Sequence, residues 1–256
     1  VCVVFVLVSG GVGDLRWVGR WQRQVVIRDR GNPKVRKSGI SEAIRMASLT
    51  MHPDTVLCAG SKAAGCMDDC LKLSGLGGVY PSINEARQKR TDYWHADQSS
   101  FLNQLRRELY NFQLLCAKQS VQGVVRLNVM SDIAWEDYDI PQEFSGLQFY
   151  DYTKRASRFH RELPDNYRLM FSYSGKESYR KQVQSFLESG SDAPMAVVFR
   201  HKTFPWTFMG RDVINGDNSD WVNVNHRGVV VGLAAKGPAR GNDNGFVVEN
   251  DIIVSG

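Results

Sequence analysis

The sequence predicts an α/β protein in which a mainly parallel sheet is covered by helices. Short runs rich in β-branched and aromatic residues alternate along the chain with segments whose apolar residues recur every three or four positions. The strand-like runs are continuously apolar, as expected for strands buried on both faces. We favour a full or partial (β/α) barrel, and an open doubly wound sheet is the alternative.

Length and composition are those of a globular chain. The 256 residues are 43% hydrophobic and 23% charged, which is enough apolar surface for one core of ordinary size. The apolar run at residues 1–8 is too short to span a bilayer, and no targeting signal is recognised, so we expect no membrane partner. Three of the five cysteines fall within residues 58–70, unlike a secreted disulfide framework. These features predict a cytoplasmic protein.

We divide the chain into a basic leader, residues 1–31, and a single α/β domain, residues 32–256. Residues 16–37 hold eight Lys and Arg against one acidic residue, Asp29. Such a segment could touch phosphates, although a solvated leader is the commoner meaning of this composition. The remaining chain has no repeat and no linker, which favours one domain.

The predicted elements begin with apolar runs at 44–51 and 55–58, followed by a loop that contains the clustered cysteines. Helices are predicted at 82–93 and 97–118, with Asp97 as N-cap of the second. The apolar face of that second helix repeats at helical spacing. Its members are Phe101, Leu105, Leu109, Phe112 and Cys116.

Five strands and one more helix are predicted after residue 120. The helix covers 176–188, with Ser174 as its candidate cap, and it separates the third of these strands from the fourth. The strands are 124–129, 147–150, 167–171, 195–199 and 229–233.

Polar residues follow the carboxyl end of each of these strands, whereas the entering ends carry ordinary turn residues. In both architectures ligands bind at the carboxyl edge, because the loops converge there. Asp132 and Asp151 are candidate acids or bases, and Lys154 is a candidate for binding an anionic substrate; these three are the predicted catalytic residues. The candidate substrate-binding residues are Arg126, Asn128, Ser131, Tyr152, Ser172, Ser174, Arg200 and Lys236.

The motif that most directly indicates a chemical function is the cysteine cluster Cys58-x7-Cys66-x3-Cys70. Three thiolates could hold three irons of a four-iron iron-sulfur cluster, or a zinc ion whose fourth ligand is water or a histidine. His52 and His95 are near in sequence. The spacing matches no common zinc or ferredoxin motif, and the alternative is a set of buried or disulfide-capable thiols.

Several motifs together resemble the phage gene-product-88 family over about residues 32–248. The resemblance implies a shared fold and site in a phage- or plasmid-encoded protein of the bacterial host cell, but it supplies no reaction. The sequence departs from the family pattern at Ala59, Val129-Met130 and Tyr173. The motifs are Gly65-Cys66-x3-Cys70-Leu71, Val125 to Asn128 with Ser131-Asp132-Ile133, Gln148 to Lys154, Ala196 to Phe199, Asn215-Gly216-Asp217, and Gly232-Leu233 with Ala235-Lys236-Gly237.

A cysteine loop after the first strand is also similar to the layout of radical S-adenosylmethionine enzymes. S-adenosylmethionine is therefore a further candidate cofactor, although the usual Cys-x3-Cys-x2-Cys spacing is absent.

The sequence supports two main functional hypotheses. The first is a metal- or iron-sulfur-dependent enzyme that acts on an anionic substrate, such as a phosphate ester or a nucleic acid, at the strand rim. The second is a nucleic-acid-binding module without catalysis, in which Tyr150, Tyr152, Trp206 and Trp221 stack bases. A structural role, with the cysteines stiffening a loop, is a third interpretation. The oligomeric state is not predicted.

Overall fold

The computed structural model describes residues 26–27, 43–67, 70 and 80–250. The predicted leader therefore lies outside the described residues, apart from Val26 and Ile27. Both of these side chains are buried in the main core. Their backbone N–H groups donate to the carboxylate of Glu108 at 2.7 to 2.9 Å, which ties this short segment to a helix.

The described ranges contain eight strands, six α-helices and four short 3-10 helices. The strands are β1 (Ile44–Ser48), β2 (Gln122–Arg126), β3 (Leu147–Thr153), β4 (Tyr167–Ser172), β5 (Met195–Phe199), β6 (Thr207–Phe208), β7 (Arg211–Asn215) and β8 (Val230–Ala234). The α-helices are α1 (Ser61–Ala64), α2 (Pro81–Ala96), α3 (Gln98–Lys118), α4 (Ile140–Glu143), α5 (Arg180–Glu188) and α6 (Asp220–Val224). The 3-10 helices are Trp135–Tyr138, Ala156–Phe159, Glu177–Tyr179 and Gly237–Gly241.

The strands form one sheet in the order β1-β2-β3-β4-β5-β8-β7-β6. All neighbours are parallel except β6 and β7, which form an antiparallel hairpin at one edge. The α/β class and the mainly parallel sheet are confirmed. The sheet is open, which agrees with the alternative of an open sheet and not with a full or partial barrel. A barrel needs strands that progress in one direction back to the first, and here β8 inserts between β5 and β7 and reverses that progression.

The two faces of the sheet have different coverings. Successive strand residues point to opposite faces, and the core divides accordingly. Val125 of β2 packs in a cluster with Leu105 of α3. Its neighbour Val124 packs on the other face, in a cluster with Val224 of α6. The longer helices therefore cover one face, and α6 lies on the other.

The long predicted helices are confirmed as α2 and α3. The side chain of Asp97 accepts a hydrogen bond from the Ser100 backbone N–H at 2.9 Å, so it caps α3 as predicted. The apolar run at 55–58 forms no strand. The Asp54 carboxylate accepts the N–H groups of Val56 and Leu57 at 2.8 and 2.7 Å, which folds this segment into turns instead.

The predicted helix at 176–188 is present as a 3-10 turn followed by α5. Ser174 does not cap α5, whose N-cap position is Tyr179. The Ser174 hydroxyl instead accepts a hydrogen bond from the Lys176 N–H at 3.2 Å and donates one to the Ala64 carbonyl at 2.7 Å. Within the described residues, no helix is long and apolar enough to cross a membrane.

Candidate functional site

A pocket of about 410 Å³ opens at the carboxyl edge of the sheet, a size typical of small-molecule sites. Its floor comes from strand residues that point to the α6 face. Its walls come from the loop after β1, the loops after β2 and β3, and the chain after β8. The polar and cysteine residues that line it are Asp54, Cys58, Ser61, Cys66, Cys70, Arg126, Asn128, Ser131, Tyr152, Lys154, Ser172, Asp220 and Lys236.

Most of the predicted site residues share this pocket. All three clustered cysteines, the candidate catalytic residue Lys154 and six of the eight candidate substrate-binding residues line it. Four predicted residues do not line the pocket, namely Asp132, Asp151, Ser174 and Arg200.

Lys154 follows β3 directly and is partly buried in the pocket wall. The cysteine loop crosses its stem so closely that a Cβ on Gly60 would lie 2.8 Å from the Lys154 Cβ, which explains the glycine there. Burial lowers the pKa of Lys154, but the nearby thiols of Cys66 and Cys58 and the Asp132 carboxylate outweigh burial and raise it overall. Lys154 therefore stays protonated at neutral pH. Among the described residues, no carboxylate lies within 4.0 Å of its ammonium group.

The three cysteines face the pocket as free thiols. Cys58 and Cys66 are 7% and 9% exposed, and Cys70 is intermediate. Burial raises the pKa of the Cys58 thiol, and the charge of Lys154 opposes that rise. Within the described part of the chain, no three metal-ligating side chains are close enough together to hold a metal ion.

Side chains from two other segments anchor the cysteine loop through the carbonyl groups at the end of α1. Ser174 donates to the Ala64 carbonyl at 2.7 Å, and Asn244 donates through its side-chain amide to the Gly65 carbonyl at 2.8 Å. Gly65 adopts a φ of 72°, which a side chain would strain. The chain after β4 and the chain after β8 thus hold the thiols over the strand ends.

Asn128 holds the loop after β2 through every polar atom of its side chain. Its Oδ1 accepts hydrogen bonds from the Ser131 hydroxyl, the Ile133 N–H and the Trp135 indole at 2.9 to 3.1 Å. Its Nδ2 donates to the Ile133 carbonyl at 2.8 Å and to Asp151 at 3.1 Å. Although Asn128 and Ser131 line the pocket, their polar groups are used within the loop.

Asp151 lies behind the pocket because strand alternation turns it to the face covered by α3. It is 1% exposed and accepts hydrogen bonds from the Asn128 N–H at 2.6 Å and the Tyr167 hydroxyl at 2.8 Å. Burial raises its pKa to about 7, despite these donors and the nearby charges of Arg126 and Arg158. The structure therefore separates Asp151 from the substrate-facing surface.

Asp132 also lies behind the pocket, where it joins two loops. Its Oδ2 accepts the Lys154 backbone N–H at 2.8 Å. Its Oδ1 lies 3.5 Å from Nη1 of Arg158, a guanidinium that is 1% exposed. Arg158 donates two further bonds to Glu136 at 2.7 and 2.8 Å and one to Tyr167 at 3.0 Å. Asp132 thus positions the backbone from which the Lys154 side chain enters the pocket.

The other cations of the pocket have carboxylate partners. Arg126 donates to Asp220 of α6 at 2.8 Å and stacks on the Tyr152 ring, with its Cζ 4.5 Å from the centroid. Lys236 contacts Asp217 at 2.5 Å. Arg126 and Lys236 therefore differ from Lys154, which has no such partner among the described residues.

Arg200 lies outside the pocket, although it follows β5 as predicted. Its guanidinium donates to Glu249 and Asp243 at 2.7 to 2.9 Å and to the Asn242 carbonyl at 2.8 Å, so it fastens the chain that follows β8. This role explains its place at a strand end without a ligand.

The aromatic residues considered for base stacking are dispersed. Trp206 is 90% exposed near the β6–β7 hairpin. Tyr150 is fully buried and packs against Trp221, with ring centroids 5.9 Å apart. Tyr152 stacks with Arg126 in the pocket. These four rings do not form one stacking surface.

Sequence reasoning missed Asp220, Arg158 and Asn244. No local pattern links Asp220 to its partner Arg126, which is 94 positions away along the chain. No local sequence pattern predicts that Arg158 is buried, because an arginine in a short 3-10 helix is usually exposed. The run from Gly241 to Gly245 is rich in turn-forming residues, but that pattern does not say what Asn244 anchors.

Fold and site together define an α/β protein with a ligand pocket at the carboxyl edge of an open, mainly parallel sheet. The chain belongs to the Gene product 88 family, whose model matches residues 26–250. The resemblance noted in the sequence is thereby confirmed. No curated protein and no solved structure is similar enough to match the chain.

Proposed function

We propose that this protein is an enzyme that binds an anionic substrate in the strand-edge pocket and uses the three pocket cysteines to hold a zinc ion or an iron-sulfur cluster. One observation carries the proposal. Cys58, Cys66 and Cys70 reach the same pocket as Lys154, although they come from a different loop. Chemistry-bearing groups from separate segments that meet at the carboxyl edge of a parallel sheet are typical of active sites in this class.

Lys154 is the group that binds the anion in this proposal. Its ammonium group has no carboxylate partner among the described residues, so its donors are available to a ligand. Gly60 and the cysteine loop cover its stem, which limits the positions that the charged group can take. Ser172, on the neighbouring strand end, also lines this part of the pocket and can donate a hydrogen bond.

The cysteines are the candidate ligands because thiolates bind zinc and iron-sulfur clusters. Metal binding deprotonates thiols, and the Lys154 charge opposes the burial that raises the pKa of the Cys58 thiol. The sulfur atoms would have to move closer together, since no group of three at metal-binding separation exists in the described residues. A bound metal would supply Lewis-acid or redox chemistry to a substrate held by Lys154.

Asp132 and Asp151 act in this proposal as positioning residues, because each fixes a loop from behind the pocket. Binding of nucleic acid by stacking is less well supported, since Tyr150 and Trp221 pack on each other. We place the protein in the host-cell cytoplasm, where free thiols such as those of the pocket stay reduced.

Metal content tests the proposal. Protein purified without air should contain zinc, or iron with sulfide, measured by elemental analysis and absorbance. The metal should be lost from a variant with Cys58, Cys66 and Cys70 all changed to Ser. A matched Cys116→Ser variant removes a buried thiol that α3 contributes to the main core and should keep the metal. Metal-free wild-type protein under these conditions, or metal that persists in the triple variant, would contradict the proposed role of the cysteines.

A further inference from the structure

We propose that the ligand of this pocket is a carboxylate with an apolar body, rather than a phosphate ester. The inference rests on the proposed function, because it names the chemical class of the anion that Lys154 binds. It follows from the charges around Lys154 and from the apolar lining beside it.

Most of the cations that line the described pocket are already paired with carboxylates. Arg126 and Lys236 line the pocket, but Asp220 and Asp217 already neutralise them at 2.8 and 2.5 Å. Lys154 is then the cation without a carboxylate partner in the described part of the pocket. One such cation matches a ligand that carries one negative charge.

Carboxylates also lie in and behind the pocket wall. Asp54 and Asp220 line its walls, and Asp132 lies behind Lys154. Each accepts hydrogen bonds from the protein, Asp54 from the His95 ring at 2.8 Å and from two backbone N–H groups. A phosphate monoester carries up to two charges near neutral pH. Arg126 offsets Asp220 and Arg158 offsets Asp132, whereas Asp54 has no Arg or Lys partner among the described residues. Burial raises the pKa of Asp54, but the hydrogen bonds that it accepts outweigh burial and lower it overall. Its negative charge on the pocket wall opposes a dianion more strongly than a monoanion, because like charges repel.

The strands β5 and β8 give the pocket an apolar floor beside Lys154. Ser172 of β4 is in register with Ala196 of β5, and β5 pairs with β8. The pocket residues that these last two strands supply are apolar, and they include Val198 and Leu233. At about 4.8 Å per strand, β5 lies about 10 Å from β3 along the sheet. A ligand whose anionic group contacts Lys154 therefore extends along an apolar floor.

The experiment compares three probes of eight carbons each on the wild-type protein as purified, with its metal content recorded, by isothermal titration calorimetry. The probes are octanoate, octyl phosphate and octanol. The alkyl chain of octanoate is one methylene shorter than the other two, a loss of about 0.8 kcal/mol that works against the expected preference for octanoate. We expect octanoate to bind about tenfold to a hundredfold more tightly than octanol, the range for one hydrogen bond to a charged group. Octyl phosphate should bind more weakly than octanoate.

Two variants assign the effect to Lys154. Lys154→Met keeps the length and apolar character of the stem and should abolish the preference for octanoate over octanol. Lys181→Met removes an exposed cation of α5, which does not line the pocket, and should preserve that preference. If Lys154→Met does not fold, the wild-type comparison among the three probes still decides the head group.

The outcomes separate the two proposals. Tighter binding of octyl phosphate, lost in Lys154→Met, would overturn the carboxylate inference and leave an anion site at Lys154. Equal binding of all three probes, or an octanoate preference unchanged in Lys154→Met, would overturn both the inference and the anion-binding role of Lys154.

Discussion

The polar residues behind the pocket and those in its wall differ in how their hydrogen-bonding groups are used. Behind the pocket, Asp132, Asp151 and Arg158 bond to neighbouring strands and loops with almost no exposure. In the wall, Lys154 and the cysteines face an open cavity and make few bonds to the protein. A polar residue at a strand end can therefore either hold the loops of the site together or contact a ligand. The two roles differ in whether the hydrogen-bonding groups of the residue already have partners within the protein.

Removal of the buried guanidinium should be the most damaging change to the network behind the pocket. Arg158→Met would leave Glu136 and Asp132 buried without their shared cation, and breaking a buried ion pair costs about 3 to 5 kcal/mol of unfolding free energy. Urea denaturation followed by circular dichroism measures this loss.

Arg161→Met is the matched control in the same cluster. Arg161 also contacts Glu136, but it is 39% exposed, and an exposed ion pair contributes about 1 kcal/mol or less. Equal losses from Arg158→Met and Arg161→Met would mean that the buried network does not hold the loops as inferred.

Asp151 should make stability depend on pH. Its folded pKa is about 7, and its unfolded pKa is about 3.9, so between these values only the folded state holds the proton. The unfolding free energy contributed by this group therefore falls as pH rises through that window, by about 1.4 kcal/mol per pH unit. In Asp151→Asn this dependence disappears, so the variant gains stability relative to wild type from pH 4 to pH 7.

Denaturation curves at several pH values measure the effect of Asp151. Asp212→Asn changes an exposed strand residue and should leave the wild-type dependence on pH intact. If the Asp151→Asn and wild-type stabilities stay parallel from pH 4 to pH 7, Asp151 is already ionised in the folded state and the network carries an extra charge.

Local pattern was enough to predict the parallel strands and the strand-edge location of the pocket. Continuous apolar runs mark buried parallel strands, and the carboxyl edge follows from the architecture. The choice between barrel and open sheet depends on where β8 inserts, which is a non-local property. The placement of Asp151 could have been predicted, because strand alternation puts it on the face opposite Tyr152. The use of Asn128 within its loop, and the pairing of Arg126 with Asp220, depend on tertiary contacts that no local motif records.

Asn244 and Cys66 allow the same comparison on a smaller energy scale, because Asn244 anchors the cysteine loop and Cys66 faces the pocket. Asn244→Ala removes the hydrogen bond to the Gly65 carbonyl, a loss of about 1 kcal/mol, and it should free the segment that carries Cys66. Labelling by a thiol reagent, read by peptide mass spectrometry, should then modify Cys66 faster than in wild type. Asn250→Ala removes a similar side-chain bond to the His201 carbonyl and should leave Cys66 labelling unchanged. Unchanged labelling in Asn244→Ala would show that α1 holds the thiols in place without the chain after β8.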